Sequence, residues 1–180
     1  MKNIVAIIQA RMGSKRLPGK ILKDLCGKSV ICHIYDRLKR ASKINKIVVA
    51  TTGKKKDEIL VQHLKANKID YFRGSENDVL DRFYQTSKLF KAKYIIRITA
   101  DCPLIDSFWI DRAVNKILEN PTIDYLGLPT GAGVFYEKVN KLPDGLDAEV
   151  FKYEALEKAW IEAESHQDRG EAVTSLSLIH

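Results

Sequence analysis

Three uninterrupted β-branched runs constrain this chain more than any other feature: "NIVAIIQ" at 3–9, "KIVVATT" at 46–52 and "KYIIRIT" at 93–99. A strand with one wet face alternates apolar and polar residues, so unbroken runs of this kind read as strands buried on both faces. Helical patterns separate them. "SVICHIYDRLKRA" places Val30, Ile31, Ile34 and Leu38 at helical spacing behind a Ser29 cap, and "KKKDEILVQHLKAN" sets Leu60, Val61 and Leu64 on one face. "IDYFRGS" reads as a further strand, followed by the helix "SENDVLDRFYQTSKLF", in which Ser75 and Asp78 match a capping box. Asp106 is placed to cap "SFWIDRAVNKILEN", which turns Ile110, Val114, Ile117 and Leu118 inward and stops before Pro121. "IDYLGL" and "AEVF" read as strands, and "KYEALEKAWIEAES" reads as a helix. Strands alternating with helices in this way predict a three-layer α/β/α fold with a mostly parallel sheet and right-handed crossovers.

With 180 residues, 45% of them hydrophobic, the chain can bury one well-formed core, and no repeat, linker or low-complexity segment divides it; a single domain over 1–180 is expected. The net charge of +7 favours an anionic partner such as a nucleotide, a nucleic acid or a phosphorylated sugar. Cys26, Cys32 and Cys102 are an odd set without C-x-x-C spacing, which argues against a zinc site or disulfide framework and for a reducing, intracellular setting. The first apolar run is too short for a signal peptide, and no stretch approaches the roughly 18 apolar residues of a membrane span. A cytoplasmic protein is the expectation.

In open α/β sheets, ligands collect beyond the carboxyl ends of the strands. That rule selects "ARMGSKRLPGK" after the first strand, "TTGKKK" after the second, "RGSEND" after the third and "ADCPLID" after the fourth. The first loop is not a Walker A motif, because five residues, "SKRLP", separate Gly13 from Gly19, and Lys20 is followed by Ile21. Nor is it a dinucleotide fingerprint, since no G-x-G-x-x-G follows the strand. Gly13 nevertheless lets the backbone approach a ligand, Pro18 stiffens the exit, and Arg11 and Lys20 can bracket a polyphosphate. Lys15 and Arg16 read as solvated, and a plain basic turn is the competing reading of the whole loop.

"IIQARMGSKRLPGKIL" resembles the N-terminal signature of the cytidylyltransferases that activate acidic sugars, the group of the CMP-KDO and CMP-sialic acid synthetases, and is most similar to the branch of spore coat polysaccharide biosynthesis proteins. "IVVATT", "FRGSENDVLDRFYQ", "YIIRITADCPLID", "PDGLDAEVF" and "YEALEKAW" follow in the family's order, so the resemblance covers nearly the whole chain. It implies a nucleotide-diphospho-sugar transferase fold, GT-A-like and Rossmann-like. The implied reaction transfers CMP from CTP to a sugar acid or related sugar with release of pyrophosphate, with Mg²⁺ as cofactor and a homodimer as the assembly. Carried onto this sequence, Arg11 and Lys20 would neutralise phosphates, Gly13 and Ser14 would donate to them, and backbone at Gln9 and Ala10 would lie against the base. Ser14 could equally be an ordinary turn residue.

Asp101, at the tip of the fourth strand, suits a Mg²⁺ held by one or two carboxylates plus phosphate oxygens. A turn-forming Asp is the alternative. Arg82 is similar in position to family residues beside the base and ribose, while Asp78 and Arg82 at i, i+4 could simply form a local ion pair. Arg97 could reach a phosphate or a core carboxylate. "PDGLDAEVF" gathers Asp144, Asp147 and Glu149; if extended, Asp147 and Glu149 share a face, and the resemblance makes them acceptors for the sugar or a metal. Relatives continue past this point with a "DTPEDL"-like segment that supplies a second metal carboxylate. This chain reads "DRGEAVTSLSLIH" instead, so the expectation is that it lacks that C-terminal part and that Asp147 or Glu149 substitutes. His33, His63, His166 and His180 form no constellation, so no catalytic histidine is expected.

Two other classes remain open at this level. One is a nucleotide- or sugar-binding protein of the same fold without turnover. The other is a nucleic-acid binder, which would need aromatics interleaved with its cations; Tyr35, Phe83, Tyr84, Phe108 and Trp109 fall on predicted helices, where packing is their expected role.

Overall fold

The computed structural model describes residues 2–14, 17–128, 142–143, 145–164 and 169–170. The first strand, β1 (Ile4–Gln9), is central and is followed by a single 3-10 turn at Lys20–Leu22 and a short hairpin of β2 (Asp24–Leu25) and β3 (Lys28–Ser29). Then come α1 (Val30–Leu38), β4 (Lys46–Thr52), a 3-10 turn at Lys55–Asp57, α2 (Glu58–Ala66), β5 (Tyr71–Gly74), α3 (Val79–Leu89) and β6 (Tyr94–Thr99). The remainder comprises α4 (Ser107–Glu119), β7 (Tyr125–Gly127), β8 (Ala148–Lys152) and α5 (Tyr153–Glu162).

The main sheet has the order β5-β4-β1-β6-β8-β7. β1 pairs in parallel with both neighbours, Val5 opposite Lys46 on one side and Ile4 opposite Tyr94 on the other. Alternate residues of β1 then enter different cores. Ile4, Ala6 and Ile8 pack with Ile31, Ile34 and Leu38 of α1, Leu60 and Leu64 of α2, and Ile110, Val114 and Ile117 of α4. Val5 and Ile7 pack with Leu80 and Phe83 of α3 and Leu156 and Ala159 of α5. Both faces of the strand are therefore dry, which is why its sequence is apolar at every position; each such aliphatic side chain contributes about 1.5–3 kcal/mol by leaving water.

The caps expected at Ser29 and Asp106 are present. The Ser29 hydroxyl accepts from Cys32 N at 3.4 Å, and Asp106 Oδ1 accepts from Phe108 N and Trp109 N at 2.9 and 3.4 Å. The capping box at Ser75 is displaced. Ser75 Oγ accepts from Asp78 N at 3.0 Å in a preliminary turn, and Asp78 itself caps α3 by accepting from Asp81 N at 2.8 Å. One strand departs from the parallel pattern: β8 runs antiparallel to both of its neighbours, β6 and β7, forming the antiparallel margin common on such sheets.

The order places the site. From β1 the chain moves through β4 to β5 on one side, then crosses back to add β6 on the other side of β1. The loops leaving β1 and β6 diverge at this switch point and open a crevice between them.

Candidate active site

That crevice is a cavity of about 370 Å³, lined by Gln9, Arg11, Gly13, Ser14, Lys20, Ile21, Arg97, Thr99, Ala100 and Asp101. One wall is the loop after β1 and the other is the end of β6. Gln9 lies opposite Thr99 in the sheet, and the pairing continues one step past the strands: Ala100 N donates to Gln9 O, and Ala10 N to Ala50 O, both at 3.2 Å. Gln9 lines the cavity, while Ala10, tied into the sheet, is buried behind it and is not a lining residue.

Beyond Ala10 the chain leaves the sheet and folds around Met12, whose carbonyl accepts from Ser14 N at 3.0 Å and Gly19 N at 3.2 Å. Gly19 adopts a left-handed φ of +67°, a conformation costly for a residue with a Cβ, and delivers Lys20 to the 3-10 turn. Ser14 lines the cavity while its hydroxyl accepts from Leu17 N at 3.3 Å, so the turn reading and the cavity position both hold for it.

Lys20 Nζ crosses the cavity to Asp101 Oδ2 at 2.9 Å. Partial burial pushes the Asp101 carboxyl up, but hydrogen bonds from Lys20 and Thr99 outweigh it and hold the group below the usual carboxylate range. The site therefore presents an ionised carboxylate beside an ammonium. On the same loop Arg11 lies half-exposed, 3.8 Å from Glu76, and Glu76 also contacts Lys56. The bond from Lys56 holds Glu76 low. A Cβ on Gly13 would lie 2.9 Å from Lys56 Nζ, so the glycine leaves room for that cation against the loop.

Several expected residues lie elsewhere. Arg82 is 1% exposed and does not line the cavity; it donates to the Ser75 carbonyl from beneath, and burial, then the charge of Arg11, lowers its guanidinium to about 10. Its local pair with Asp78 is also absent from the structure, because Asp78 Oδ2 engages Arg169 Nε at 2.7 Å. Glu149 is withdrawn from the cavity by the β6–β8 register, which sets it opposite Arg97. The two form a largely buried ion pair, so Arg97 meets a core carboxylate, and its Nε lies 3.4 Å from Gln9 Oε1. Burial pushes the Glu149 carboxyl up against the opposing pull of Arg97. Asp147 Oδ2 accepts from Gly145 N at 3.1 Å and lies 3.7 Å from Cys102 Sγ. Neither Asp147 nor Glu149 lines the cavity; Glu149 abuts it through Arg97, a wall residue, whereas Asp147 contacts Cys102, the residue after Asp101.

Lys15, Arg16, Asp144, His166 and His180 lie outside the described residues. Among the described residues no cluster of three His, Cys, Asp or Glu side chains forms a ready-made metal cage. Thr99, Lys56, Glu76 and Asp57 were not singled out from sequence. Lys56, Glu76 and Asp57 sit in or beside the strand-end segments selected above, and only the strand order shows that these converge on the first loop.

The model of the family described as cytidylyltransferase matches residues 5–174. The chain is 34% identical over 166 residues to the spore coat polysaccharide biosynthesis protein SpsF of Bacillus subtilis, covering 90% of this chain and 68% of that protein. It is 31% identical over 152 residues to a 3-deoxy-manno-octulosonate cytidylyltransferase of Geobacter sulfurreducens, covering 83% of this chain and 56% of the relative. The chain spans 56 to 68% of the length of these and a further, 41% identical relative. A solved cytidylyltransferase structure from Leptospira borgpetersenii superposes with a TM-score of 0.86 at 31% identity, over 99% of this chain and 72% of that one. Its fold is accordingly the Rossmann-like nucleotidyltransferase fold, and the chain belongs to the cytidylyltransferase family.

Proposed function

We propose that this chain transfers a cytidylyl group from CTP to an oxygen of a sugar acid or related sugar, releasing pyrophosphate, as a step in building a cell-surface polysaccharide. The observation that carries this reading is the convergence of Arg11, Gly13, Ser14 and Lys20 with Asp101 around one cavity at the switch point of the sheet. The sugar oxygen attacks the α-phosphorus; a P–O bond forms to the sugar, the bond to the pyrophosphate oxygen breaks, and the hydroxyl proton leaves to solvent. Such a reaction needs positioning and charge stabilisation more than a protein nucleophile.

Arg11 and Lys20 both line the cavity, where they can bind phosphate oxygens and stabilise charge that builds up as pyrophosphate departs. Gly13 keeps the loop low enough for a phosphate to approach the backbone. Gln9, on the cavity lining beside the buried Ala10, offers a surface for a flat base. Asp101 is an ionised carboxylate at the mouth of the cavity, and a single carboxylate sharing its ion with phosphates and water is an ordinary Mg²⁺ arrangement. Bound there, Mg²⁺ would supply a positive charge shared with the triphosphate; Asp101 would hold it, and Lys20 would turn from Asp101 to the phosphates. Asp147 contacts Cys102, the residue after Asp101, and is the candidate acid for the sugar side, whereas Glu149 is engaged by Arg97.

Pyrophosphate release with CTP, Mg²⁺ and a panel of sugar acids tests the proposal. Release that depends on one of the sugars is expected. CTP binding without release from any sugar would contradict turnover and leave a nucleotide-binding protein of the same fold.

A further inference from the structure

We infer that Asp57, a residue outside the cavity, is the positioning residue that fixes the backbone of the β1 loop for triphosphate binding; the inference rests on the nucleotide reading above. Asp57 ends the 3-10 turn after β4 and is 0% exposed. Among the described residues no cation lies within ion-pair distance of it. Its oxygens are directed instead at the first loop and the strand beneath it: Met12 N donates to Oδ1 at 2.7 Å, and the buried Thr52 hydroxyl donates to Oδ2. Thr52 is held in turn by Lys54 N, 3.2 Å from its oxygen.

A buried carboxylate is costly to desolvate, and an apolar side chain would fill the space at less cost. The acid is accounted for by what it holds. Met12 lies between Arg11 and Gly13, and its carbonyl already gathers Ser14 N and Gly19 N. With its N–H tied to Asp57, both polar groups of Met12 are anchored, and the residues on either side are aimed into the cavity. A hydrogen bond from a backbone N–H to a carboxylate is short and stronger than a neutral one. Without it, a loop bearing two glycines would sample many conformations, and CTP would have to order it on binding.

Four variants, one of them a control, and two measurements test this. In the unliganded chain, hydrogen exchange should show the Met12–Ser14 amides losing protection in Asp57→Ala while β1 keeps its own. CTP affinity with Mg²⁺, measured by calorimetry, should fall about tenfold or more in Asp57→Ala. Asp57→Asn, which keeps an acceptor for Met12, should stay within about threefold of the natural chain, and Thr52→Val should fall between them. Leu156→Ala, a core truncation in the other layer, controls for general destabilisation and should leave CTP affinity unchanged. If Asp57→Ala does not fold, the Asn and Val variants carry the test. Unchanged loop protection in Asp57→Ala, an Asn variant as weak as Ala, or an equal loss in Leu156→Ala would each overturn the inference. Should the natural chain fail to bind CTP, the nucleotide reading falls, while the exchange measurement still reports on Asp57.

Discussion

Lys20 and Asp101 meet at 2.9 Å across a cavity that also holds Arg11 from the same loop and Arg97 from β6, so each side chain has a separable part in binding. Asp101→Asn should lower pyrophosphate release by about 10²–10³-fold, as loss of a group that organises transition-state charge does, while shifting the thermal midpoint little. Because Asp101 has a folded value below its ordinary one of about 3.9, the stabilisation it gains from Lys20 is fully present above about pH 4 and is lost as pH falls through the lower folded value. The pair is half-exposed, so that contribution is at most about 1 kcal/mol, and acid titrations of the natural chain and Asp101→Asn should converge at the lowest pH. Arg97 and Glu149 behave differently. Arg97→Met alone strands a buried carboxylate and should cost about 3–5 kcal/mol in urea unfolding, whereas Arg97→Met with Glu149→Leu should recover most of it. The loop cations and Asp101 were legible in sequence because they lie in the segments that follow β1 and β6. The partner of Arg97 was not, because it depends on a register between residues fifty-two apart in the chain.

At the scale of single elements, the caps and the loop glycine make local statements that can be tested singly. Asp106→Ala should lower stability by about 1 kcal/mol through the loss of the oxygen that accepts from two amides at the start of α4, with little effect on CTP affinity. Gly19→Ala faces a φ of +67° and a contact at 3.3 Å with Met12 Cε. It should cost about 1–2 kcal/mol and weaken CTP binding as well, because Lys20 follows directly. The helices and buried strands were readable from apolar spacing alone. The start of α3 was misplaced because Ser75 and Asp78 both offer side-chain oxygens to backbone N–H groups three residues on, and spacing does not say which turn continues as helix.

For the molecule as a whole, the order β5-β4-β1-β6 turns four separate strand-end segments into one site, with the β1 and β6 loops facing each other and the β4 and β5 ends supplying Lys56, Asp57 and Glu76 from behind. Alternation of strands and helices announced a parallel α/β sheet, but not which strands are neighbours, so the support behind the first loop was hidden until the topology was known. The antiparallel β8 was hidden for the same reason, and it is what converts Glu149 from an expected sugar ligand into the buried partner of Arg97. A crystal structure of the chain with CTP and Mg²⁺ tests the central claim most directly. The triphosphate is expected between Arg11 and Lys20, over Gly13, with the metal at Asp101 and the base against Gln9. CTP bound away from the β1–β6 crevice, or a triphosphate that leaves Lys20 and Asp101 joined and untouched, would contradict it.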